Sequence, residues 1–243
     1  ALGILFNRGK TQRKRRTPMN MMMKKGKHSR TTPNPMPAVA MLLLFAALVA
    51  CLLTLDQQPI AADGSMVGLG SANLAFHNLT GVNWTLYDIT EYGGYVAIAS
   101  MFVFFVIGLV QLIRGRGFKG VDKAIYFIAI AYVVMLVLYV GFDKIALNWR
   151  PVLVDGELEP SFPSSHSFLA VGTMGCAITW ARHRLASAPA RTAVTIICTL
   201  IALVVVVGRL LCGVHWLTDI IGGVVLGLAL VFAYRYFMLR FAS

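Results

Sequence analysis

Apolar runs long enough to cross a bilayer recur along this chain, and they restrict its architecture before any single residue is considered. Roughly 30 Å of hydrocarbon needs about 20 residues of helix. Residues 38–55, 95–113, 124–142, 192–208 and 217–237 are runs of this kind. Their backbone polar groups find partners in lipid only if each run is helical, so an all-α bundle is expected. Composition agrees, with 58% of 243 residues hydrophobic, 13% charged and a mean hydropathy of +0.72. Such values belong to a polytopic membrane protein and not to a soluble domain.

Charge supplies the topology. Lys and Arg gather on the cytoplasmic side of membrane proteins. Here ten lie in residues 1–37, four between the second and third runs, three in "ARHRLASAPAR" and two at the C-terminal end, nineteen of the twenty-two in the chain. Placing all nineteen on one side requires a sixth crossing over residues 167–180, a shorter apolar stretch. The expected layout is a basic, disordered cytoplasmic tail (residues 1–37) followed by a six-span membrane domain (residues 38–243), with both termini inside. The apolar run after the tail is too long for a signal peptide and lacks a small-residue cleavage site. The tail's expected partners are anionic lipid headgroups, with no specific nucleic acid and no obligate protein partner.

Three cations break the pattern: Lys144, Arg150 and Arg209 fall on the exofacial side, together with nine of the ten acidic residues. A charge at mid-membrane costs roughly 2.5–3.5 kcal/mol and less at the interface, so each needs an anionic partner. One possibility is an internal carboxylate such as Asp143, Asp155, Glu157 or Glu159. The other is a phosphate held in common, since Arg offers a planar fork and Lys a compact charge.

The neighbouring residues favour a reactive site. "FPSSHS" carries Pro and Ser suited to a helix start, which would leave the amides of Ser164, Ser165 and His166 free as an anion site. In "RLLCGVHWLTD", Gly213 is a plausible break between two spans. His215 and Asp219 then share one helical face, about 6 Å apart between Cβ atoms. A carboxylate there can bind one imidazole nitrogen and leave the other unprotonated. Taken alone, a His-x3-Asp pair is a weak signal and reads better as a capped or hydrogen-bonded structural His.

The segments "KIALNWRP", "PSSH" and "GRLLCGVHWLTD" together resemble the three-part signature of the type 2 phosphatidic acid phosphatase superfamily, K-x6-R-P, P-S-G-H and S-R-x5-H-x3-D. The resemblance extends over the six-span layout and leaves out the basic tail. It implies an enzyme, an integral membrane lipid phosphatase acting without a metal or other cofactor on a lipid phosphomonoester or diphosphate. Phosphatidic acid, phosphatidylglycerophosphate, polyprenyl diphosphates and lipid A phosphate are the implied substrate classes. It also implies roles: His215 as nucleophile through a phosphohistidine, Asp219 as its orienter and His166 as acid and then base. Lys144, Arg150, Ser164, Ser165 and Arg209 would bind the phosphate. The active site would face the exterior of the cell membrane.

Three positions depart from the pattern. Lys144 and Arg150 have five residues between them where the signature has six, Ser165 stands in place of Gly, and Gly208 precedes Arg209 in place of Ser. A lipid phosphotransferase and a non-catalytic lipid-phosphate binding or transport protein are the other readings. A zinc site at His166, His215, Asp219 and His77 is disfavoured, because three nearby cations repel a dication and no His/Cys pair has ligand spacing.

Residues 56–95 contain no Lys or Arg. They are expected to lie along the interface, with Trp84, Tyr87 and Tyr92 at headgroup level. Cys51, Cys176, Cys198 and Cys212 are expected to be packing residues. Gly223 and Gly227 are expected to let helices approach closely.

Overall fold

The computed structural model describes residues 33–242; most of the expected basic tail lies outside them. Its elements are α1 (Met36–Thr54), β1 (Gln58–Pro59), β2 (Met66–Val67), α2 (Gly70–Thr80), α3 (Trp84–Arg114), α4 (Lys123–Ile145), α5 (Ser165–Arg184), α6 (Ala188–Leu211) and α7 (Leu217–Phe241). The fold is an all-α membrane bundle, with the β1–β2 hairpin and α2 as a short insertion between the first two long helices.

Among the described residues, five helices, α1, α3, α4, α6 and α7, are long and apolar enough to span a membrane. Their outer faces carry large exposed side chains such as Leu43, Phe102, Val137 and Leu203. α5 has the length, 20 residues, but holds Ser, Thr, Gly, His and Arg along its course. Its position explains this composition. α5 packs against α3, α4, α6 and α7, and Phe168, Ala170, Thr173, Met174, Cys176 and Ala181 are all buried. A helix wrapped by other helices needs little of the apolar surface that lipid demands.

Close approach of α5 and α7 depends on glycine. A Cβ on Gly223 would lie 2.6 Å from the Ser164 carbonyl oxygen, and one on Gly227 would lie 3.0 Å from the Phe168 carbonyl oxygen. The expectation for these two glycines is met inside the bundle itself.

α3 corrects the expected second span. It begins at Trp84, eleven residues before the apolar run, because the Asn83 side chain caps it by accepting from the Leu86 amide at 2.9 Å. Its 31 residues extend about 46 Å at 1.5 Å per residue, more than hydrocarbon requires, and the added turns rise beside the loops that carry the motifs. At the opposite end of the bundle Arg184 donates to Asp122 at 2.9 Å, joining the start of α4 to the end of α5.

Candidate active site

The α4–α5 connection doubles back on itself. α4 ends at Ala146 in the left-handed region, and Trp149 then bridges Pro160 in antiparallel fashion. The Arg150 amide donates to the Glu159 carbonyl at 3.2 Å, and Ser161 donates to the Asn148 carbonyl at 2.8 Å. This register sets Arg150 beside Glu159, whose carboxylate its guanidinium meets at 2.8 Å. It also delivers Ser161 to the base of the loop.

The α6–α7 connection supplies the other wall. Gly213, with φ +72°, makes the break expected from the sequence, and a Cβ there would lie 1.7 Å from the Gly81 carbonyl oxygen. The Asn83 amide donates to the Cys212 carbonyl at 3.0 Å. On the other side of the turn, the Asn73 side chain donates to Thr218 Oγ1 at 3.0 Å and accepts from the Thr218 amide at 3.1 Å. The insertion before α3 therefore clamps the segment that bears His215.

Between these connections lies a cavity of about 320 Å³ lined by Tyr87, Glu91, Arg150, Ser165, His166 and His215, with Tyr139, Phe142, Phe162 and Phe168 on its apolar side. His215 is buried, and its Nε2 has no hydrogen-bond partner among the described residues. Its Nδ1 lies 3.3 Å from Ser161 Oγ and 3.7 Å from Asp219 Oδ2. Ser161 donates its hydroxyl proton to Asp219 Oδ2, so its oxygen is left to accept from His215 Nδ1–H. The expected direct contact of Asp219 with His215 is thus replaced by a serine bridge. Desolvation, reinforced by the Arg150 and Arg209 charges, holds the His215 pKa well below the ordinary histidine range. The ring is therefore neutral near pH 7.

Asp219 also holds the architecture together. Its Oδ2 accepts from the Trp216 amide at 2.8 Å, capping α7, and its carbonyl accepts the Ser164 amide at 2.9 Å. That second bond corrects an expectation. Ser164 is fully buried as the N-cap of α5, and its amide is committed to Asp219 instead of being free for an anion. Ser165 and His166 follow in the first turn of α5, where an amide has no intrahelical acceptor. Both line the cavity.

Each of the three cations that break the charge pattern has an internal carboxylate. Lys144 meets Asp143 at 3.4 Å with its side chain 79% exposed, and it does not line the cavity. The missing residue before Arg150 and the end of α4 at Ile145 leave it turned outward, against the role expected for it. Arg150 is buried against Glu159 yet lines the cavity. Arg209 is wholly buried, 4.7 Å from the centroid of the Tyr87 ring, and it pairs with Glu91 Oε2. The other oxygen of Glu91 lies 3.3 Å from His166 Nε2.

Glu91 and Ser161 were missed by sequence reasoning. Ser161 sits in an irregular loop and bears no signal. Glu91 did offer one, an acidic residue shortly before an apolar run, and the Asn83 cap would have placed it on the helix.

Residues 142–242 match the model of the PAP2 superfamily. No match is found among curated proteins. Among solved structures, the bundle is similar to one described as the first transmembrane PAP2 type phosphatidylglycerolphosphate phosphatase from Bacillus subtilis. The TM-score is 0.61 at 23% identity, covering 84% of this chain and 97% of that one. At this identity the likeness is one of fold. The matched stretch holds all three motif segments, His166, His215 and Asp219 included, and over it the chain's resemblance to the type 2 phosphatidic acid phosphatase superfamily holds.

Proposed function

We propose that this chain hydrolyses a lipid phosphomonoester or diphosphate at the cavity between α3, α5 and the α6–α7 turn, through a phosphohistidine. The observation that carries the reading is His215, a buried imidazole whose Nδ1 is engaged by Ser161 and whose Nε2 is left without a partner, in the lining of a cavity that also presents Arg150 and His166. In the first step Nε2 attacks phosphorus in line, and the bond from phosphorus to the lipid oxygen breaks as His166 donates its proton to that oxygen. In the second, His166 takes a proton from water, the water oxygen attacks phosphorus, and the P–N bond breaks to release inorganic phosphate. Arg150, Arg209 and the first-turn amides at Ser165 and His166 stabilise the charge on the equatorial oxygens. Asp219 orients His215 through Ser161.

Tyr139, Phe142, Phe162 and Phe168 offer an apolar wall to the carbons next to the phosphate, which fits a lipid better than a soluble phosphate ester. The skew of Lys and Arg supports cytoplasmic termini, an exofacial site and binding of the basic tail to anionic headgroups. Arg150, Arg209 and the first-turn helix amides supply the charge stabilisation that a divalent ion would otherwise give, so the reaction needs no metal.

The test is inorganic phosphate release by the purified chain in detergent, with EDTA present, across a panel of lipid phosphates. Polyprenyl diphosphate, phosphatidic acid and phosphatidylglycerophosphate come first, the last because it is named for the similar fold. Release from at least one is expected. Failure with all of them, or a strict metal requirement, would overturn the reading.

A further inference from the structure

Glu91 stands where the proposed reaction needs an anion. Its two oxygens join His166, the proposed acid, to Arg209, a proposed phosphate clamp. It lines the cavity with its side chain 42% exposed, whereas Arg209 is wholly enclosed and lacks a hydrogen-bond partner at Nε and Nη1 among the described residues. It reaches the site from α3, outside the stretch that matches the superfamily. A carboxylate and a phosphate present the same kind of oxygen to a guanidinium fork. Both cannot take the same Arg209 nitrogen at full strength.

Building on the phosphatase reading, we propose that Glu91 is a displaceable stand-in for substrate phosphate. It occupies Arg209 and His166 in the empty site, yields to the incoming phosphate group, and returns after hydrolysis to help expel the product. Burying Arg209 unpaired would be costly, so the stand-in keeps the empty site intact. It also weakens binding of the inorganic phosphate that the reaction leaves behind. The rest of the surroundings are consistent with this. Tyr87 packs on Arg209 without offering it an anion, and Glu159 is occupied with Arg150. Glu91 alone among these carboxylates touches both an arginine and the second histidine.

The test is binding of inorganic phosphate to the purified full chain in detergent, by calorimetry, for the wild type, Glu91→Gln and Glu91→Asp. Gln retains an acceptor for Arg209 but not the charge. Asp retains the charge but is one methylene too short to join Arg209 to His166. Both variants are expected to bind phosphate about tenfold more tightly, a change of about 1.4 kcal/mol, and to show stronger product inhibition with a lower KM for lipid phosphate. Melting temperatures without phosphate confirm that each variant is folded.

Tightening in Glu91→Gln alone would mean a diffuse effect of charge and would overturn the proposal, as would unchanged or weaker binding in both. If the wild type releases phosphate from lipid while the variants bind it no better, the stand-in fails and the phosphatase reading survives. If neither the wild type nor the variants bind phosphate, the stand-in falls, and the phosphatase reading falls with it only if the wild type also releases no phosphate from lipid.

Discussion

His215 Nδ1 and Asp219 Oδ2 lie 3.7 Å apart, too far for a direct hydrogen bond, and the Ser161 hydroxyl closes the gap. Ser161→Ala should therefore leave lipid binding intact and lower kcat. Losing a group that orients a reactive imidazole costs roughly 10- to 100-fold. Asp219→Ala should lower kcat too, and it should also lower the melting temperature, since it removes the acceptor that holds the Trp216 amide at the start of α7; losing such a cap costs about 1 kcal/mol. Steady-state kinetics beside thermal melts separate the two. A Ser161→Ala enzyme with wild-type kcat would remove the serine from the relay.

The roles of the two histidines separate with leaving groups of different acidity. His215→Ala should release no phosphate from any substrate. His166→Ala should fail on lipid phosphate, whose alkoxide needs a proton. With an aryl phosphate it should still give a burst of about one equivalent of phenol and then stall, because the aryl oxide leaves unaided while water activation is lost. A rapid-mixing assay shows the burst, and steady turnover of the aryl ester by His166→Ala would assign the second step elsewhere.

Protonation of His215 gives stability a direction with pH. Its folded pKa lies well below 6.5 because of burial and the Arg150 and Arg209 charges. As pH falls below 6.5, the unfolded chain takes up a proton that the folded one refuses. Stability is then lost progressively down to the folded pKa, and above pH 6.5 this residue contributes no slope. One proton is worth about 1.4 kcal/mol per pH unit at most. Melts between pH 8 and pH 5 should show a steeper acid decline for the wild type than for His215→Asn; equal declines would place a charged imidazole in the folded state.

The sequence carried the spans because lipid-facing helices need unbroken apolar runs, and it carried the motif because the reactive groups lie at fixed spacings. It was weaker wherever packing replaced lipid. α5 escapes a hydropathy scan because its neighbours cover it, and the first turns of α3 escape because they carry the polar Thr85, Asp88 and Glu91, the last of which lines the cavity. The hydroxyl bridge of Ser161 and the commitment of the Ser164 amide to Asp219 were beyond reach for a different cause. Their roles follow from how the α4–α5 loop folds over Asp219, a long-range contact that local spacing does not encode.

Gly213 tests the turn. It combines a positive φ with a Cβ position 1.7 Å from the Gly81 carbonyl, whereas Gly81 itself, at φ +61°, has open space around its Cβ. Gly81→Ala should carry only the backbone strain of a positive-φ extended conformation that glycine alone adopts readily, about 1–3 kcal/mol. Gly213→Ala adds a backbone collision that cannot be relieved without parting α2 from the His215 loop, and should give little folded protein. The yield of monodisperse protein in detergent, compared across the two variants, reads the difference; similar yields would mean that the two segments do not touch as described.

Lys144 offers the sharpest contrast between the signature and the folded chain. The pattern makes it a phosphate ligand, yet its ammonium sits beside Asp143, largely exposed and outside the cavity, while Arg150 lines the cavity from a buried position. An exposed ion pair of this kind is worth about 0–1 kcal/mol. Lys144→Ala should therefore change kcat/KM by less than about fivefold, the factor that 1 kcal/mol represents. Arg150→Ala should lose on the order of 10²–10³, the scale of one preorganised donor in a charge-stabilising site. Both variants are to be assayed on the best lipid substrate at one detergent concentration. A loss at Lys144 as large as that at Arg150 would mean that the end of α4 rewinds when lipid phosphate binds and swings the lysine inward.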